Sequence, residues 1–247
     1  MILNEIGKVI TDAEILHRGG ISRQGFIFTG ITYPANIYDA IVIKHPQNVR
    51  CFSPVIKESS HNLEEQIELI NREKIEKAMI IAENIDFITK CPTLRYLRII
   101  PAENAGDGFD YSPLYEMPEI KSLQCSTVYG AGERFFTELD CERITGLQDI
   151  HMTSRGYRNY KKISTLKSLG LSGSNELPDL SFLKTMKSLK TFVFNMNVKD
   201  GNLSLCTGLS YVYSERNRKH YNLKNAELPK GQYVRGNEDI EVWRRCE

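Results

Sequence analysis

Histidine and cysteine are the side chains best suited to nucleophilic, acid–base or metal chemistry, and this chain of 247 residues has five of one and six of the other. The histidines are His17, His45, His61, His151 and His220; the cysteines are Cys51, Cys91, Cys125, Cys141, Cys206 and Cys246. A metal centre wants them in close pairs. No histidine lies at ligand spacing from another histidine or a cysteine, and no C-x-x-C occurs, so no metal and no cofactor are expected. Asp149 and His151 flank Ile150 and have the residue types of an acid–base pair, yet no G-x-S-x-G or similar nucleophile context accompanies them. In "NAGDGFDYS" (104–112), Asp107 and Asp110 lack the alternating carboxylates and distal Glu of a calcium loop. "YGAGERF" (129–135) has a G-x-G without the third glycine or a surrounding βαβ unit. Both stretches read as loops.

The bulk composition narrows the function classes. Thirty-two basic and 31 acidic residues leave a net charge of +1, without the basic excess of most nucleic-acid binders. "RGYRNYKK" (155–162) and "SERNRKHY" (214–221) mix bases with tyrosines, but against this neutral background they read as solvated loops or a partner-contacting edge. The first twenty residues carry Glu5, Asp12 and Glu14 and lack the basic and apolar regions of a secretory signal. No window reaches the length of an apolar membrane span. The expected setting is the cytoplasm, with the cysteines reduced. Neither nucleic acid nor membrane is an expected partner.

The elements that would position these residues emerge from uneven spacing. In "DLSFLKTMKSLKTFVFNMN" (179–197), Leu180, Leu183, Met186, Leu189 and Phe192 recur every three residues, and Phe194 follows after two. Threes suit a tight 3₁₀ or short α turn, in which i and i+3 align. Twos suit a strand, in which alternate side chains share a face. The same L-x-x-L-x-L line begins at Leu94, Ile120, Leu147, Leu166, Leu189 and Leu209, at intervals of 26, 27, 19, 23 and 20. Strand and turn become two sides of one coil, each placing apolar groups in its middle. One coil cannot bury its own face; a stack can.

This pattern resembles the leucine-rich repeat family, closest to its bacterial internalin-like class, over about residues 75–217. The resemblance implies an α/β solenoid: a horseshoe with a parallel β-sheet on the concave face, short 3₁₀ or α turns on the convex face, and a β-rich N-terminal cap. The family's asparagine position is filled by Asn197 and Asn217, where side-chain amides would satisfy turn backbone. Ser174 replaces it in one repeat, and Ala102, Val128 and Arg155 in others.

Upstream, Tyr38-x-x-Ile41-x-Ile43 and Ile75-x-x-Ala78-x-Ile80 have the same spacing. Between them, Asn62 and Glu65 form a capping signature for a helix over 62–74, with a strand near 77–81. One unbroken helix over 62–90 fits almost as well. Residues 1–35 read as short strands split by Gly and Pro. The alternating "IEVW" with Trp243 reads as a covering strand at the other end. The chain is therefore expected to be one domain over 1–247: an N-terminal cap region at 1–60, helix and repeats at 61–217, and a C-terminal cap at 218–247.

If each L-x-x-L-x-L is a strand, the residues flanking its second apolar position face away from the core. Tyr96, Arg98, Gln124, Asp149, His151, Thr191, Tyr211 and Tyr213 are the expected partner-binding residues, in adjacent columns on the open concave face. Tyr and Arg are favoured at binding hot spots. The expected function is a non-enzymatic interaction scaffold for a protein or peptide; an immunity or inhibitor protein is one narrower form. The competing reading is an enzyme with a site in the N-terminal region or loops, using His17, His45 or Cys51, and repeats that recognise substrate.

Overall fold

The computed structural model describes residues 40–45, 62–102, 105, 109–117, 119–125, 139–152, 157–171, 173, 176–214 and 216–231. Their central feature is a parallel sheet of eight strands, laid down in chain order. The strands are β1 (Ala40–His45), β2 (Lys77–Ala82), β3 (Tyr96–Pro101), β4 (Ser122–Cys125), β6 (Asp149–Met152), β8 (Ser168–Leu171), β10 (Thr191–Phe194) and β12 (Tyr211–Ser214). On another side of the coils, β5 (Leu139–Asp140) pairs in parallel with β7 (Tyr157–Arg158), and β9 (Glu176–Leu177) with β11 (Asn197–Val198). Between successive strands of the main sheet, 3₁₀ turns such as Asp86–Lys90, Ser112–Glu116, Ser181–Lys184 and Ser204–Gly208 close the coils. This is a parallel β-solenoid with leucine-rich-repeat-like coils.

The register of the sheet is set by the apolar spacing. Leu97 pairs with Leu123, Leu123 with Ile150, Ile150 with Leu169, Leu169 with Phe192 and Phe192 with Val212. All six are essentially buried. A slip of one residue would turn every one of them outward, so burial locks the pairing. Upstream, Ile41 pairs with Ala78 and Ile43 with Ile80, so β1 is a rung of the same sheet inside the region expected to form the cap. At the entries to β3, β4, β6, β8, β10 and β12 one carbonyl accepts two amides of the next coil: Lys167 O, for example, accepts Lys190 N at 2.8 Å and Thr191 N at 3.0 Å.

The turn side supplies the other half of the core. Phe87, Ile88, Leu114, Phe182, Leu183 and Cys206 are buried beneath the strands. Phe192 stacks on Phe194 with centroids 4.8 Å apart and meets Phe182 edge-on at 6.1 Å, joining strand to turn. Asx turns open most of these 3₁₀ segments. Asp110 Oδ1 accepts Ser112 N at 2.8 Å, Asp179 Oδ1 accepts Ser181 N at 2.6 Å, and Asn202 Oδ1 accepts Ser204 N at 3.0 Å. Each satisfies a backbone donor that the turn itself leaves open.

The asparagine ladder differs from expectation. Asn195, not Asn197, reaches the preceding coil's backbone, accepting Gly173 N at 2.8 Å. Asn197 Nδ2 instead donates to Glu176 Oε1 at 2.6 Å, whereas Asn217 Oδ1 does accept a backbone amide, Asn225 N at 3.3 Å. The strand ends at Phe194, so the next residue is the one placed over the preceding turn.

The two ends are built differently. Helix α1 (Leu63–Glu73) has a full capping box: Asn62 Oδ1 accepts Glu65 N at 2.9 Å, and Glu65 Oε2 accepts Asn62 N at 3.0 Å. Its Gln66, Ile67, Leu69 and Ile70 are buried, and it ends at Lys74 with φ 52°. A strand follows, not a continuation of the helix. At the other end, residues 229–231 run antiparallel to β12: Val212 N donates to Pro229 O at 2.8 Å and Gly231 N to Ser210 O at 3.0 Å. Pairing closes an edge that would otherwise present open backbone groups. Residues 1–35, Val128, Arg155, Ser174 and the "IEVW" segment lie outside the described residues.

Candidate protein-interaction face

The sheet brings the expected binding residues into two columns. The first runs Tyr96, Ser122, Asp149, Ser168, Thr191, Tyr211; the second runs Arg98, Gln124, His151, Gly170, Val193, Tyr213. Alternation along each strand assigns those whose side chains are described to the face opposite the apolar spine. Neighbouring rungs lie about 4.8 Å apart. Of Arg98 and Gln124 only the backbone is described.

The open face expected from the sequence is not what the structure shows over most of its length. Tyr96 is 7% exposed, Asp149 and His151 2% each, and Thr191 0%. Ser122, Ser168 and Val193 are buried beside them. Strand alternation decides which face a side chain occupies; it does not decide whether that face meets water. Tyr211 and Tyr213 are half-buried, at the end of the columns.

Within the buried part, polar groups find one another across the rungs. Ser122 Oγ donates to Asp149 Oδ2 at 2.8 Å. His151 lies beside its register partner Gly170, where an added Cβ would collide with Nδ1. The sequence reading missed this role for Gly170. The signal was present: a glycine inside a strand marks close approach of another group.

At the half-buried end, Lys230 organises the tyrosines. Its ammonium lies 5.7 Å from the ring centroid of Tyr211 and 5.3 Å from that of Tyr213. It donates to Val212 O at 2.6 Å and to Asn225 Oδ1 at 2.9 Å. Two tyrosine rings, a residue type enriched at binding hot spots, thus share one surface with a cation.

Other candidate groups have structural roles. Cys91, Cys125, Cys141 and Cys206 are buried. Burial pushes the thiol of Cys91 up to about 11 and that of Cys206 up to about 12. Burial, with Cys125 and Asp140 nearby, raises Cys141 well beyond the usual thiol range. Tyr111 is also raised, first by burial and then by Cys125 beside it. A thiol held neutral is a poor nucleophile. Asp110 is an Asx-turn residue, and His220 Nε2 lies 3.0 Å from Val198 O. Among the described residues, no group of three or more His, Cys, Asp or Glu could hold a metal ion, and no helix is long and apolar enough to cross a membrane. His17, Cys51, His61, Asp107, residues 129–135 and Cys246 lie outside the described residues, as does the side chain of His45.

No protein-family model matches the chain, and no curated protein matches it. Among solved structures, the internalin InlF from Listeria monocytogenes str. 4b F2365 is similar over 57% of this chain at 20% identity, with a TM-score of 0.35. The match spans 46% of the internalin's own chain. The leucine-rich-repeat-like assignment therefore stands on the strand register and the turn chemistry described above.

Proposed function

We propose that this protein is a non-enzymatic interaction scaffold that holds a protein or peptide partner, with Tyr211 and Tyr213 at the centre of the contact. The observation that supports this reading is the pairing of a stiff, single-register sheet with a half-buried aromatic and cationic patch at its end. Stiffness matters because a partner then binds without first ordering the surface. The tyrosines supply large area at small conformational cost, and Lys230 already holds them in place. We place Arg98 and Gln124 on the same docking face and read Tyr96, Asp149, His151 and Thr191 as its internal support. In this reading the sheet curves as a horseshoe, the docking face is concave, the whole chain is one domain, and the setting is cytoplasmic. A bacterial immunity or inhibitor protein is the narrower form, and it would bind one partner in a one-to-one complex.

The test is affinity capture with the wild-type chain and with Y211A/Y213A, read by quantitative mass spectrometry. A protein enriched by the wild type and depleted at least tenfold by the variant, with unchanged circular dichroism, supports the reading. Equal recovery of every captured protein by both rejects this surface.

A further inference from the structure

The charges of this nearly neutral chain are sorted along the solenoid. From Ile99 to Ile120 there are five acidic residues and no basic one; from Tyr157 to Lys190 there are seven basic residues and two acidic ones. Stacking converts these sequence blocks into places along the axis. Of the acidic residues, Asp110, Glu116 and Glu119 fall on the coil with the turn Ser112–Glu116, and the basic block falls on the coils with the turns Tyr160–Lys162 and Ser181–Lys184. One coil, with the turn Cys141–Arg143, separates them.

Glu116 and Glu119 on one side, and Lys161, Lys184 and Lys187 on the other, are exposed. Glu119 has one contact with a base, Arg95 Nε at 3.8 Å, and its side chain is 64% exposed. Glu116, Lys184 and Lys187 have no ion pair among the described residues; of the other bases, Arg158 pairs with Asp140 at 3.2 Å and Lys162 with Glu142 at 3.3 Å, and Lys161 and Lys184 both act on Asp179. Like charges gathered on neighbouring coils repel, which opposes folding unless an opposite field meets them. The dividing coil presents both signs side by side: Glu142, paired with Lys162 Nζ at 3.3 Å, and Arg143, over the Tyr115 ring at 3.8 Å, are both exposed.

We propose that the turn-side surface binds a second copy of this chain, antiparallel, about a two-fold axis through the Cys141–Arg143 turn. That arrangement sets the acidic coil of each copy against the basic coils of the other. It sets Glu116 and Glu119 of each copy against Lys161, Lys184 and Lys187 of the other, and the mixed-charge turn lies on the axis, where it meets itself. A two-fold contact closes on itself and stops at a dimer. Ion pairs at an exposed surface are weak and are screened by salt. The dimer is therefore weak and sensitive to ionic strength.

Sedimentation velocity on the full chain tests this, from about 5 to about 200 µM in about 50 mM and about 500 mM NaCl, where the screening length shrinks by about threefold. The expected result is a concentration-dependent dimer at low salt and a monomer at high salt. K161E/K184E and E116K/E119K each remain monomeric alone at low salt, because each sets like charges against like. An equimolar mixture of the two restores a heterodimer, because both reversed patches are again complementary. The neutral variants K161Q/K184Q and E116Q/E119Q weaken the dimer without reversing charge, and circular dichroism checks each fold. A wild-type monomer at low salt, a dimer indifferent to salt and to these substitutions, a mixture that stays monomeric, or a mass that grows beyond two copies would each overturn the proposal.

Discussion

The imidazole of His151 on β6 occupies the space above Gly170 on β8, and the absent side chain at Gly170 is what lets it lie there. Both residues are buried, so the contact belongs to the sheet and not to a solvent-facing surface. Replacing Gly170 with Ala should overpack this point and destabilise the fold by about 1–3 kcal/mol. H151A should recover much of that loss when combined with G170A, because the colliding ring is gone. Urea denaturation of the two single variants and the double variant measures the coupling. Strictly additive losses would show that the two side-chain positions do not meet.

Phe192 is completely buried and ties strand to turn through Phe194 and Phe182. Truncation to Ala should cost about 3–5 kcal/mol, because its neighbours on adjacent rungs cannot collapse without breaking register. Since coils are coupled chiefly to their nearest neighbours, the loss should appear first as faster hydrogen exchange in β8, β10 and β12. Uniform acceleration across the whole sheet would contradict this nearest-neighbour picture.

The buried thiols should make stability fall at alkaline pH. The usual thiol value is 9.0, and burial raises Cys91 to about 11 and Cys206 to about 12. Below the unfolded value both states hold the proton, so this contribution is fully present. As pH rises past it, the unfolded chain ionises first, and the contribution is lost progressively toward the folded values. C206A should flatten the decline in melting temperature between about pH 8.5 and pH 10.5. In native protein at neutral pH, Cys91, Cys141 and Cys206 should react with iodoacetamide far more slowly than after unfolding. Rapid labelling of Cys206 in the folded state would contradict its burial.

Lys230 closes the last rung by donating to Val212 O and Asn225 Oδ1 between the rings of Tyr211 and Tyr213. K230A should cost about 2 kcal/mol, the scale of hydrogen bonds to a charged group. Amide exchange should rise in β12 and leave β3 and β4 unchanged. Protection in β12 equal to wild type would mean that residues 229–231 close the edge without this ammonium.

Removing the cap of α1 tests the opposite end. N62A eliminates the side-chain half of the capping box and should lower stability by about 1 kcal/mol. N62D should retain most of it, since aspartate also accepts the Glu65 amide. A loss of the same size in both variants would argue that the cap is not what holds this helix.

How far the sequence reaches can be judged rung by rung. Leu97, Leu123, Ile150, Leu169, Phe192 and Val212 are legible as neighbours because one physical demand governs them all: each coil must hide its apolar residues against the next. The helix over 62–74 was legible from Asn62 and Glu65 because capping is local chemistry. The Asx turns at Asp110, Asp179 and Asn202 have the right residue types in the sequence, but only the fold shows which of the many Asp and Asn residues stand two before a turn amide. Asn195 could not be preferred to Asn197 from spacing alone, since the place where a strand stops depends on the coil beneath it.

The sequence alone therefore determined the repeat, the apolar spine and the face on which Asp149, His151 and Thr191 stand, because periodicity fixes direction along a strand. Only the tertiary structure decided that these three are buried, that His151 needs Gly170, and that Lys230 sits between two tyrosines. Those are contacts between residues brought together from different coils. Accessibility is a property of the assembled stack, and no local spacing encodes it.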